Sequence, residues 1–90
     1  MALRLVEILL PAGLKDRLQP IVEEAAPLGH WSQPTDDGRL RTSVVVQAED
    51  TERLLDALSA AFAFFPEFRA VVLATEATLP RPIVTSPTLT

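Results

Sequence analysis

The groups in this 90-residue sequence that could do chemistry or grip a partner are few: Glu7, His30, Trp31, Asp36, Asp37 and Arg41 stand out by type and setting. His30 is the only histidine, and the chain has no cysteine. A cysteine nucleophile is therefore excluded, and no motif sets a serine beside His30 in the manner of a hydrolase triad. Zinc asks for three or four nitrogen, sulfur or carboxylate ligands. His30 with Asp36 and Asp37 could offer three across one hairpin, but "HWSQPTDD" follows no metal-site spacing, and no metal or cofactor is expected. Glu7 stands among leucines in "ALRLVEILL", where a carboxylate needs a cation beside it or its pKa rises. Arg41 is the expected partner across the sheet, as a structural ion pair or, alternatively, as half of a ligand-gripping pair. Trp31 is the only tryptophan in a chain without tyrosine. It either packs against the core or over an edge, or points outward and anchors a partner, as aromatics at interface hot spots do.

These groups form no catalytic constellation, and no catalytic residue is assigned. Gly13, Gly29 and Gly38 stand alone, so no glycine-rich loop is available to cradle phosphate. The formal net charge is −4, and the eight Lys and Arg residues are scattered. A nucleic-acid surface calls for a clustered basic footprint, so no nucleic-acid partner is expected.

Hydropathy patterning shows what must hold these groups in place. The segment 2–10 is rich in Leu, Val and Ile and stops at Pro11-Ala12-Gly13, a strand followed by a turn. Val6, Ile8 and Leu10 share one face, and Leu3, Leu5, Glu7 and Leu9 share the other. Leu14, Leu18, Ile21, Val22 and Ala25 recur at helical spacing, which predicts a helix over 14–26 with Pro20 as its awkward residue and Pro27 as its stop. Residues 28–34 read as an edge strand because a proline closes them. "TDDG" (35–38) is a turn, and 39–48 is a second clear strand with Leu40, Thr42, Val44 and Val46 on one face. A long helix over 49–65 carries Leu54, Leu55, Leu58, Ala61, Phe62 and Phe65 on one stripe, with Asp50 as the expected N-cap. A last strand follows over 68–74.

Strand, helix, strand, strand, helix, strand is the split βαβ pattern. The expected fold class is therefore α+β: a ferredoxin-like four-stranded antiparallel sheet, order 4-1-3-2, with two helices on one face. A chain of this length builds one modest core. The composition suits it, at 48% hydrophobic and 22% charged. No stretch reaches the eighteen apolar residues of a membrane span, and Glu7 interrupts the apolar start, which reads as a strand rather than a signal peptide.

One face of such a sheet is left open. Leu5, Leu9 and Val45, with Val71 and Leu73, would lie on it, broken by Glu7, Arg41, Ser43 and Gln47. An apolar patch of more than a few hundred Å² marks an interaction site. Leu5, Glu7, Leu9, Trp31, Arg41 and Val45 are accordingly the candidate interface residues, and the expected partner is a second copy of the chain.

Three stretches, "LRLVEILLPAG", "VVVQAEDTERLLDAL" and above all "FRAVVLATEATLPRP", resemble the N-terminal domain of a family of prokaryotic multi-pass membrane proteins, domain of unknown function 389. The resemblance covers about residues 3 to 82, and "EATLPRP" is its most specific part. It implies a ferredoxin-like domain over 1–75, an extended proline-containing tail over 76–90, and a hydrophobic membrane region following. Pro80, Pro82 and Pro87 would make that tail a semi-rigid spacer. The chain then reads as a non-enzymatic cytoplasmic accessory or regulatory module that associates with itself or with the membrane region. Two alternatives stand beside this reading. One is a small-ligand sensor similar to amino-acid-binding regulatory domains, with its site at a strand–helix junction or a dimer interface. The other is a dimeric ferredoxin-like enzyme, which would need one pocket holding both His30 and Glu7.

Overall fold

A computed structural model describes residues 2–75. The expected proline-containing tail, 76–90, lies outside the described residues. The elements are β1 (Leu3–Pro11), α1 (Lys15–Glu24), β2 (Gly29–Pro34), β3 (Arg39–Gln47), α2 (Ala48–Phe62) and β4 (Arg69–Thr75), with one 3-10 turn, Ala12–Leu14, leading into α1. The sheet order is β2-β3-β1-β4, and every neighbouring pair is antiparallel. The ferredoxin-like βαββαβ arrangement expected from the periodicity is the one observed.

The period-two alternation decides which side the helices cover. Val6, Ile8 and Leu10 of β1 and Val44 of β3 are each 0% exposed. They pack with Leu18, Val22 and Ala25 from α1 and its C-terminal end and with Leu54, Leu58 and Phe62 of α2 into one core. Phe62 closes the end of that core, with the rings of Phe65 and Phe68 tilted against it at centroid distances of 6.3 and 5.9 Å. Arg17 of α1 sets its guanidinium over both Phe62 and Phe65, at 5.7 and 5.6 Å, and so ties the two helices together.

The helix ends depart from the sequence-based expectation. Entry to α1 is by the 3-10 turn, so the α-helix starts one residue later than expected, with Pro20 inside it. Pro20 has no N–H to give the Asp16 carbonyl, but both residues are exposed and water can take the bond. The chain leaves α1 through Ala26, which lies two residues past the last helical residue and has a left-handed φ of 51°. Its N–H donates to Glu23 O at 3.1 Å, half of a Schellman closure; Pro27 lacks the N–H that would complete it. Asp50 is not the N-cap of α2: the helix begins at Ala48, capped by the backbone of Gln47 without a side-chain bond. Strand β3 feeds straight into the helix, and Ala48 N–H, bonded to Ala2 O at 2.9 Å, fixes the junction, which places Asp50 inside the first turn.

Candidate functional site

Register builds the open face row by row. Trp31, Ser43, Glu7 and Val71 lie side by side across β2, β3, β1 and β4. The next row is Gln33, Arg41, Leu9 and Arg69. At the end of the sheet where β2 turns into β3 and β4 begins, these rows floor a recess of about 640 Å³. Glu7, Leu9, Arg41, Arg69 and Val71 come from the sheet, and the Thr35-Asp36-Asp37 turn with Arg39 forms the lip.

The lip is a knot of hydrogen bonds. Arg39 donates through Nε and Nη2 to Asp37 Oδ2 at 2.9 and 2.6 Å. Thr35 Oγ1 accepts from the Arg39 amide at 3.1 Å and contacts the Asp37 carboxylate. Gly38, at a φ of 81°, lets the turn close. The hydrogen bond from Arg39, and then that from Thr35, holds the Asp37 carboxyl down at about 2, below its ordinary 3.8, and Asp37 in turn raises the Arg39 guanidinium.

The other two arginines are not committed in this way. Arg41 Nη2 donates to Gln33 Oε1 at 3.3 Å, and Arg69 Nη1 donates to the carbonyls of Phe68 and Pro66 at 2.9 and 3.4 Å. Among the described residues neither meets a carboxylate within ion-pair distance. They flank Leu9 on a single row, so their Cα atoms stand about 10 Å apart, two strand spacings. Two exposed guanidinium forks at that span can converge on one anionic group of phosphate or carboxylate type.

A second recess, of about 320 Å³, opens on the helix-covered side between α1 and the edge strand β2. Lys15, Leu18, Gln19 and Val22 line it from the helix. His30, Trp31 and Ser32 of β2 and Thr42 of β3 line it from the sheet. Ser32 and Thr42 share a hydroxyl hydrogen bond of 2.8 Å across the strands.

This geometry redistributes the residues singled out in the sequence. Glu7 lies opposite Ser43, not Arg41, so the expected ion pair does not form; Arg41 is one pair further along, opposite Leu9. His30 borders the recess beside α1, whereas Asp36 and Asp37 border the one on the open face, so the three do not gather, and no group of three potential metal ligands occurs among the described residues. Glu7 and His30 likewise sit on different recesses, against the arrangement an enzyme of this kind would need. Trp31 is 51% exposed, so it is not a core residue. Leu5 and Leu9 are half-buried on the open face, and Val45 is already buried at 8%, which leaves it little surface to offer. Sequence reasoning missed Arg69, Arg39 and Lys15. Arg69 opens the last strand with the parity of Val71 and Leu73, which signals its face of the sheet but not its row.

No family model matches the chain, and no curated protein matches it. Solved structures do match. CPII, a nitrogen regulatory PII-like protein from Thiomonas intermedia K12 bound to ADP, AMP and bicarbonate, superposes with a TM-score of 0.75 at 18% identity, over 89% of this chain and 94% of that one. A putative PII-like signalling protein from Thermus thermophilus gives 0.62 at 22% identity, over 83% and 85%. A Bacillus cereus protein related to NIF3 gives 0.63 at 13% identity, but this chain spans only 26% of its length. The fold is shared with PII-like regulatory proteins. At these identities the likeness is one of backbone, so the arginine row has to be judged on its own chemistry. No described helix is long and apolar enough to cross a membrane.

Proposed function

We propose that the chain is a non-enzymatic regulatory module that binds a small ligand through an anionic group. The observation that carries this is the Arg41–Leu9–Arg69 row: two guanidinium groups without carboxylate partners among the described residues, facing a recess of small-molecule size. A neighbour of the same fold is bound to ADP, AMP and bicarbonate, which supports an anionic ligand of that kind. The hydrogen-bonded Thr35–Arg39 lip walls the site on one side. The regulatory part of the reading is supported by the PII-like regulatory proteins that share this fold.

The test is a thermal-shift and calorimetric titration with ADP, AMP, bicarbonate and free amino acids. At least one anion is expected to raise the melting temperature by several degrees at saturating concentration. The double variant Arg41→Gln/Arg69→Gln, which removes both charge-assisted contacts, should lose at least about tenfold in affinity while keeping the fold. An unchanged affinity in that variant, or no shift with any of these compounds, would overturn the reading.

Self-association through the open face is a second reading, favoured by Trp31, Val71 and Leu73, which are 51%, 52% and 46% exposed there. Two copies that brought these residues together would bury most of the apolar surface that face presents. Sedimentation should show a concentration-dependent dimer or higher species, weakened by Val71→Asp; a monomer at millimolar concentration would exclude it. The resemblance to the membrane-protein family would place the module beside a membrane region, a context that co-purification with such a region would test.

A further inference from the structure

The recess between α1 and β2 is made of unlike halves. Lys15, Leu18, Gln19 and Val22 fall at i, i+3, i+4 and i+7, one stripe of the helix. Its inner members, Leu18 and Val22, are 3% and 2% exposed and form an apolar floor. Its outer members, Lys15 and Gln19, are exposed, and long enough to fold over the opening. From the sheet, Thr42 is 2% exposed, and its hydroxyl is joined to that of Ser32. Each hydroxyl of that pair retains capacity for a further hydrogen bond. The charges are one-sided. Lys15 is the only lysine in the chain, and His30 stands across from it; among the described residues no Asp or Glu borders the recess. In a chain of net charge −4 this is a basic opening over an apolar floor.

We infer that this recess is a separate binding site for a small monocarboxylate with a compact apolar body. Its volume admits about ten non-hydrogen atoms at roughly 30 Å³ each. The apolar body rests on Leu18 and Val22, the carboxylate meets the Lys15 ammonium, and of the Ser32–Thr42 pair the hydroxyl that accepts their mutual bond keeps one O–H to donate to the ligand. The site does not depend on the arginine row. The two recesses share no lining residue and open on opposite sides of the sheet, so a ligand here would set a second input beside the first.

Trp31 belongs to the edge strand that borders this recess and is the only tryptophan, with no tyrosine present, so its emission reports binding near β2 and the amide shifts tell which side of the sheet the ligand occupies. Phenylacetate is titrated into the full 90-residue chain while Trp31 emission and backbone amide shifts are followed. The expected result is a saturable change at about millimolar concentration, with the largest shifts in residues 15–22 and 30–32. Lys15→Gln should weaken it about tenfold, phenylacetamide, which has the size without the charge, should bind about tenfold less well, and Arg41→Gln/Arg69→Gln should leave it unchanged. A linear, unsaturable response, equal binding of phenylacetamide, or loss of binding in the arginine variant would overturn the assignment. Phenylacetamide tests it without any substitution.

Discussion

The two faces of β1 carry residues of similar type and put them to different use. On one face Val6, Ile8 and Leu10 are fully excluded from water beneath the two helices. On the other, Leu5, Glu7 and Leu9 are half-buried beside Arg41 and Arg69. The covered face is bound by cohesion: its side chains interlock, and any loss of volume leaves a hole. The open face has spare capacity, because its charged groups are held loosely and its apolar groups are already partly wet. Replacing Ile8 by Ala should therefore cost about 2–5 kcal/mol in urea unfolding, transfer and cavity together. Leu9→Ala, one residue away, should cost about 1 kcal/mol. Similar losses from the two would erase the distinction.

The covered face was legible in the sequence and the open face only partly so, for one physical reason. Alternation fixes the parity of a strand, and parity decides which side chains meet the helices; hence the sequence alone assigns Val6, Ile8, Leu10, Val44 and Val46 to the covered face, where they lie. Parity does not fix register. A slip of two residues keeps every side chain on its own face, so Glu7 opposite Arg41 and Glu7 opposite Ser43 were equally consistent with the pattern. The second occurs, and with it the arginine row appears and the ion pair does not. Arg69 was harder still, because its place depends on the pairing of β4 with β1, a contact between distant parts of the chain that local patterning does not report. The recess beside α1 was hidden by helical averaging: Lys15 and Gln19 count as the polar side of an amphipathic helix until the edge strand is set beside them.

Backbone strain on the covered side is a smaller lever than packing. Ala26 holds a left-handed φ of 51° where glycine ordinarily closes a helix. Ala26→Gly should stabilise the fold by about 0.5–1 kcal/mol, since the Cβ clash disappears and the conformation is already set. Denaturant midpoints would show it; a destabilised variant would mean that glycine's added freedom in the unfolded chain outweighs the relieved clash.

On the open face the sensitive quantity is affinity rather than stability. Glu7 borders the same recess as Arg41 and Arg69 and opposes any anion there. Glu7→Gln should tighten binding of a purely anionic ligand such as bicarbonate by about threefold, the scale of one screened charge–charge term. Calorimetry at two salt concentrations would check it, with the gain shrinking as salt rises. Weaker binding in the variant would instead indicate that the ligand presents a positive group to Glu7.

The smallest effect belongs to the lip, and it depends on pH. Asp37 titrates at about 2 in the folded chain against an ordinary 3.8, chiefly through the hydrogen bond from Arg39 and next through that from Thr35. A depressed carboxyl stabilises the fold above its unfolded value and loses that contribution as protons arrive. The Asp37 contribution is therefore complete above about pH 4 and fades between about pH 4 and pH 2. Asp37→Asn should remove that part of the acid slope and leave the rest of the profile unchanged, as urea midpoints measured across the window would show; parallel profiles would mean the pair contributes nothing. The carboxyl is exposed, so the change in stability is small. The change in binding is the sharper readout. Freed from Asp37, Arg39 becomes a third guanidinium on the recess beside Arg41 and Arg69, and anion affinity should rise at neutral pH, where the native chain keeps Arg39 occupied.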